Sequence, residues 1–332
     1  HLWGRVRGTP YHVIATDFRQ TVRSFTQIAA AATALCACAA FLIGFAGRWW
    51  WVADLFAHFR VQYTWMLAIS ALLLLLLRRY RAALLAFGAT LVLLLTILRY
   101  FSWGAPPVAT AADFRFVTFN KYWRNQAPQR IGRFIEDSGA DVFVLQEVSS
   151  AQTVQDVVGQ LPSYPHVYAV PDPPLGSVIL SRWPIIERQT IELAPGGARV
   201  AKVVIDWHGR RLTVIGAHLH WPLGPQVTRL RNSELEELAQ LARHTRGPLL
   251  IGGDFNITPW SQNFERAIAG TSLRDCVRGQ GWISTWPTQF APLGLRIDHC
   301  LYSEHWRVVS VRRGPILGSD HYPMINDLVL LR

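Results

Sequence analysis

The chain has 332 residues, half of them hydrophobic, and a formal net charge of +11. It is long enough for a sizeable core and more than one domain. Residues 1–105 carry ten arginines against Asp17 and Asp54, a net of +8, whereas residues 106–332 carry 23 Lys and Arg against 20 Asp and Glu, a net of +3; the basic excess thus flanks an apolar region and bears on membrane topology, and the nearly neutral remainder argues against a polyanion-binding groove.

Three apolar runs come first: Phe25 to Gly47, Val61 to Leu77 and Ala82 to Leu98. A spanning helix needs about 20 residues, with a lower limit near 17. About three transmembrane helices are therefore expected in a membrane anchor over residues 1–101, and three successive runs argue against a cleaved signal peptide. Arg5, Arg7, Arg19 and Arg23 precede the first run, and Arg78, Arg79 and Arg81 form the "RRYR" turn between the second and third. Three spans put both clusters on one side, which the positive-inside rule makes the cytoplasm; the chain then emerges outside. Trp49, Trp50 and Trp51, in the stretch from Arg48 to Gln62, suit an interfacial aromatic belt. Residues 102–112, "SWGAPPVATAA", read as a linker. The alternative is a two-span protein with a cytoplasmic domain, its second and third runs forming one soluble hairpin. Cys36 and Cys38 lie in an apolar run and read as inert. Cys276 and Cys300 lack metal-ligand spacing, and a disulfide between them is open if that part sits in an oxidising compartment.

Residues 113–332 read as a globular domain. "FRFVTFN", 114–120, alternates as a strand; "RIGRFIEDSG", 130–139, has helical spacing; "DVFVLQE", 141–147, and "SVILSR", 177–182, are apolar strands. Residues 199–207 and 211–220 flank a His-Gly turn as a hairpin. Residues 228–244 form an amphipathic helix that leads through Gly247-Pro248 into the strand "LLIGGDFNIT", 249–258. "RIDHCLYS", 296–303, and "GSDHYPMINDLVLL", 318–331, follow. Mixed strands and helices with hairpins predict two sheets packed face to face with outer helices.

Strand after strand ends in a residue able to bind a metal or move a proton: Asn120, Glu147, His218, Asp254 with Asn256, Asp298, and Asp320 with His321. Each alone has a bland reading, as a solvated carboxylate, a satisfied polar histidine or a turn. Together they point to phosphoester chemistry. Hard oxygen ligands hold a divalent cation, a carboxylate near water acts as a base, and histidines meet transition-state charge. No Gly-x-Ser-x-Gly elbow, His-Glu-x-x-His, P-loop or Cys-x-x-Cys competes.

The ordered series "FN…QE…SR…GAHL…GDFN…IDH…GSDH" resembles the endonuclease/exonuclease/phosphatase superfamily, over about residues 113–332. The resemblance implies an α/β four-layer sandwich of two mixed β-sheets flanked by helices, here preceded by the transmembrane helices, and cleavage of phosphoester bonds dependent on Mg²⁺ or Mn²⁺. By position, Asn120, Glu147 and Asp320 would line the metal site. Asp254 would orient or deprotonate water, Asn256 would hold the phosphate, and His218 would bind phosphate or assist the leaving group. His321 would be the active-site histidine, oriented by Asp298. His299 departs from the pattern, and the domain has no room for long DNA-gripping insertions. Trp123, Trp221, Trp260 and Trp286 trail the strand ends and are expected to rim the site, at a lipid interface or stacked on a sugar. The expected function is a multi-pass membrane phosphodiesterase or phosphatase whose extracytoplasmic domain acts on lipid-linked or envelope phosphoesters beside the bilayer. The alternatives are a membrane-tethered nuclease acting on nucleic acid and a non-catalytic scaffold.

Overall fold

The computed structural model describes residues 10–98, 100, 101, 111–148, 150–159, 161–172 and 174–331. Arg5, Arg7 and residues 102–110 of the expected linker lie outside the described residues. The chain divides into two compact units. One holds the residues up to Ile43 together with Phe59–Ile97, and the other holds Gly44–His58 together with the residues from Leu98 onward.

The first unit is helical: α1 is Pro10–Ile43 and, beyond a short α2 (Trp51–Ala57) that belongs to the second unit, α3 is Arg60–Leu76 and α4 is Tyr80–Leu98. Small residues mediate the packing of α1, α3 and α4, with Ala30, Ala71, Leu74, Ala83 and Ala86 buried together. Along α4 the buried positions Ala83, Ala86, Thr90, Leu93 and Ile97 recur at helical spacing, and Leu84, Leu85 and Leu95 are exposed. Phe18–Ala46 and Tyr80–Leu98 are long and apolar enough to cross a membrane; Arg60–Leu76 meets that test only with α2, across a 61° bend, so among the described residues the candidate spans number two or three by length and composition. Arg23 donates to the Leu77 carbonyl and Arg79 to Gln27 Oε1, so Arg19 and Arg23 lie at the same end of this unit as Arg78 and Arg79.

The second unit contains β1 (Phe114–Asn120), α5 (Pro128–Ser138), β2 (Val142–Gln146), α6 (Ala151–Val158), β3 (His166–Val170), β4 (Ser177–Ser181), β5 (Ile185–Glu192), β6 (Arg199–Trp207), β7 (Arg210–His218), α7 (Pro225–His244), β8 (Leu249–Asp254), α8 (Gln262–Ile268), β9 (Arg274–Asp275), β10 (Asp298–Tyr302), β11 (Trp306–Arg313) and β12 (Met324–Leu330). The strands form two six-stranded mixed sheets, ordered β11-β12-β1-β2-β4-β3 and β5-β6-β7-β8-β10-β9. Period-two alternation decides which sheet face each residue serves. On the first sheet, Val117, Phe119, Phe143 and Leu145 pack with Ile131 and Ile135 of α5. On the second, Ile215, Ala217, Leu249 and Ile251 pack with Leu235, Leu238 and Ala239 of α7. The opposite faces meet each other. This is the expected four-layer α/β sandwich.

The two glycines before Asp254 have separate causes. A Cβ on Gly252 would collide with the Phe116 ring of the facing sheet, and Gly253, at φ 152°, leaves no space for a Cβ against the Ala217 carbonyl of β7. Together they let β8 run close to both neighbours right up to the carboxylate.

Cys276 and Cys300 form a disulfide beside the β9–β10 pairing, with Cα atoms 5.4 Å apart. Cys36 and Cys38 are free.

Candidate active site

Asp254 ends β8, and its neighbours are set by register. His218 lies opposite it on parallel β7, and Asp298 opposite it on antiparallel β10. Asp298 therefore opens its strand rather than ending it, and Asp320 and His321 precede β12. Because β10 and β12 run antiparallel to β8 and β1, their starts share an edge with the other strands' ends. The candidate residues thus share one edge, contributed by strand ends and strand starts alike.

Asn120 bridges the sheets. Its Nδ2 donates to Glu147 Oε1 and to Asp254 Oδ2, both at 3.0 Å, and its Oδ1 accepts from the Tyr122 amide. Glu147 follows β2 at φ 61°, a left-handed conformation unusual for a residue with a side chain. Its Oε2 accepts from the Trp123 amide at 2.5 Å. Asp254 Oδ2 also lies 3.7 Å from His218 Nε2 and 3.6 Å from His321 Nε2. Its Oδ1 accepts from the Asn256 amide at 2.9 Å. Asn256 is itself left-handed, at φ 51°, and its Nδ2 donates to the Leu219 carbonyl. His321 Nδ1 lies 2.9 Å from Asp298 Oδ2. Asp298, His321, His218, Asp254 and Asn120 are all buried.

Burial controls the protonation states here. It pushes the Asp254 carboxyl up to about 7, against the attraction of His321. It pushes His218 down to about 3, helped by the positive charge of His321, so His218 is neutral. For His321 burial acts in the same downward direction, but the Asp298 and Asp254 carboxylates and the Asp298 hydrogen bond outweigh it and hold the imidazole up to about 10. The site thus pairs a basic carboxylate with one cationic and one neutral histidine.

Asp254, Asp298 and His321 offer donor atoms within 4.8 Å of one another. In this group His321 Nδ1 is bound to Asp298 Oδ2 and its Nε2 faces Asp254 Oδ2, so the three side chains already pair with one another. Oxygen donors suited to a hard cation lie elsewhere in the site. Glu147 retains acceptor capacity beyond its two hydrogen bonds, and Asp320 Oδ1 is buried without a partner among the described residues while Oδ2 accepts from Trp286 Nε1 at 2.9 Å. Asn120, Glu147 and Asp320 fit a divalent ion in donor chemistry. Beside Asp320 a cavity of about 400 Å³ opens between Tyr122, Thr288, Ile316 and Ser319.

A scan against family models matches the Endonuclease/Exonuclease/phosphatase family over residues 117–321. The chain belongs to the endonuclease/exonuclease/phosphatase family. Its members are generally phosphoester hydrolases and typically use divalent metal ions. Similar solved structures include an endonuclease/exonuclease/phosphatase from Beutenbergia cavernae DSM 12333 (22% identity, 66% of this chain and 72% of that one, TM-score 0.56). One from Bacteroides vulgatus is 20% identical over 65% of this chain and 98% of its own, with TM-score 0.56. A mannosyl-6-phosphatase from Bacteroides thetaiotaomicron VPI-5482 is 19% identical over 66% of this chain and all of its own, with TM-score 0.53. These likenesses carry the fold. Among curated proteins no significant match was found.

Within this endonuclease/exonuclease/phosphatase site, several supporting residues have no role assigned from sequence. Ser319 Oγ donates to the Asn120 carbonyl and accepts from the His321 amide, tying the end of β1 to the segment that enters β12 of the same sheet. Thr285 Oγ1 accepts from the Asp298 amide. His299, the departure from the family pattern, is structural: it stacks between Phe255 and Phe264, bonds the Ile257 carbonyl, and burial lowers it to about 4. The expected tryptophan rim needs correction. Trp260 is fully buried, stacked on Trp282 and edge-on to Tyr100, because a ring that size among aromatics gains more from burial than from solvent. Trp286 is held by Asp320. Trp123 and Trp221 are exposed, at 52% and 41%.

Proposed function

We propose that this chain is a membrane-anchored, divalent-metal-dependent phosphodiesterase or phosphatase acting on lipid-linked or envelope phosphoesters. The observation that carries the reading is the continuous array of hydrogen bonds and one ion-pair contact through Glu147, Asn120, Asp254, His321 and Asp298 at one edge of the sandwich. A divalent cation held by Asn120, Glu147 and Asp320 would supply neutralisation of the phosphate oxygens. Asp254, raised towards neutrality, would take the proton of the attacking water. His321, held cationic by Asp298, would stabilise charge building on the phosphoryl oxygens, and neutral His218 would hydrogen-bond the same group. Asn256 would hold the phosphate from the other side of Asp254.

Four features support a substrate at a bilayer. The helices Phe18–Ala46 and Tyr80–Leu98 are apolar enough to span a membrane. Arg19 and Arg23 lie at the same end of the helical unit as Arg78 and Arg79, which suits a cytoplasmic N-terminus and an external catalytic domain. The Cys276–Cys300 disulfide suits an oxidising compartment. Exposed apolar side chains (Trp123, Trp221, Leu223 and Ile316) flank the site and suit contact with lipid. Parallel assays of the full-length protein on phospholipid vesicles and plasmid DNA test the substrate class. Turnover of lipid over DNA is expected, and the reverse would favour a tethered nuclease.

A further inference from the structure

The sandwich unit is not built from the C-terminal residues alone. The segment Gly44–His58, between the first and second apolar helices in sequence, is part of it. The turn before α2 folds tightly onto that helix: a Cβ on Gly47 would sit 2.9 Å from the Asp54 Cα. Asn263 Nδ2 donates to the Gly47 carbonyl, and His58 Nδ1 lies 2.9 Å from Thr258 Oγ1. At the centre is an ion pair with no solvent exposure on either side chain. Arg231 Nη2 of α7 donates to Asp54 Oδ2 at 2.6 Å, and Ser261 Oγ donates to Asp54 Oδ1 at 2.5 Å.

The other arm of the same guanidinium reaches the active site. Arg231 Nη1 donates to the Asn256 carbonyl at 2.9 Å. Asn256 occupies the left-handed turn whose amide holds Asp254 Oδ1. A buried arginine needs a carboxylate to fix both its charge and its fork, and the carboxylate paired with it comes from the segment between the apolar helices, 177 positions away in sequence. We propose that Asp54 is a positioning residue for the phosphate-binding end of the site: through Arg231 it fixes the turn at Asn256, so the segment between the first two apolar helices is a working part of the catalytic domain. This rests on the phosphoester-hydrolase reading above. Loss of Asp54 leaves the guanidinium buried without its counter-ion, free to swing from the Asn256 carbonyl, and the turn relaxes.

The test uses full-length protein in detergent, with bis-p-nitrophenyl phosphate as substrate and inorganic phosphate as inhibitor. D54N should lower kcat/KM about tenfold or more, as small misplacements of a positioning group do. It should weaken phosphate inhibition in parallel, and D54E should restore part of both. The double variant D54N/N256A should be no worse than N256A, because both act on one element. N263A loosens the same segment at Gly47 without touching Arg231; it should lower Tm and leave kcat/KM within about twofold. D54N with lowered Tm but unchanged kcat/KM and phosphate inhibition would overturn the proposal, as would losses from D54N and N256A that multiply. A wild type inactive on every phosphoester overturns the functional reading and the proposal with it. An active wild type with an unaffected D54N overturns the proposal alone.

Discussion

His321 Nδ1 lies 2.9 Å from Asp298 Oδ2, and both side chains are almost completely buried. Aspartate on one ring nitrogen fixes the tautomer and direction of the other, and Nε2 then faces Asp254 at 3.6 Å. Because Asp298 and Asp254 hold the folded-state value up to about 10, His321 stays charged through neutral pH and loses its proton only in alkali. Asp298→Asn removes the principal supporting charge. The alkaline limb of the pH–rate profile should move to lower pH, and the rate at neutral pH should fall on the order of 10²-fold. An unchanged alkaline limb would show that His321 owes its state to other groups.

A second titration bears on stability. His220 Nδ1 lies 2.5 Å from Glu234 Oε1, whose hydrogen bond and charge raise the imidazole above its ordinary value while partial burial opposes them. A group raised on folding contributes stability that is fully present below its unfolded value of about 6.5 and lost as pH rises through the folded value. His220→Gln should flatten urea stability over that window. A parallel pH slope in variant and wild type would exclude this pair as its source.

The tryptophans divide by exposure. Trp123→Ala with Trp221→Ala should weaken turnover of a phospholipid in vesicles far more than turnover of a soluble phosphodiester. Trp260→Ala should behave differently, destabilising the fold by about 3–5 kcal/mol through the cavity left against Trp282 and Tyr100. Equal losses on both substrates from the exposed pair would leave the lipid reading resting on the apolar helices.

Cys276 and Cys300 should resist a membrane-impermeant maleimide until a reductant is added, in protein taken from intact cells under denaturing, alkylating conditions. Immediate labelling of both thiols would contradict an oxidising compartment. A reporter active only in the cytoplasm, fused to the C-terminal end, should be silent.

Legibility in the sequence follows burial. Phe114–Asn120 and Arg199–Trp207 are read to their true bounds because they are central strands whose apolar pattern is strong. Ile185–Glu192 is missed because it is an edge strand with nearly every side chain in solvent, so no alternation marks it, and His166–Val170 is half-exposed for the same reason. The catalytic candidates are legible because a carboxylate or histidine at the end of an apolar run is conspicuous. Their supports are not: Thr285 looks like an ordinary loop residue until folding sets it behind Asp298, and neither Ser319 within the GSDH motif nor Trp286 at the expected rim shows in sequence that it holds His321 or Asp320. Asp54 is hidden most completely. It stands in a stretch rich in tryptophan and reads as an interfacial residue, whereas its partner Arg231 lies on a helix whose charge pattern looks solvent-facing.

The most direct test of the account is hydrolysis of bis-p-nitrophenyl phosphate by the purified full-length protein, with and without EDTA, beside Glu147→Ala and Asp254→Asn. The account predicts turnover restored to chelated protein by Mg²⁺ or Mn²⁺, and losses on the order of 10²-fold or more in each variant with thermal unfolding preserved. Full activity in chelator, or variants as active as wild type, would contradict it.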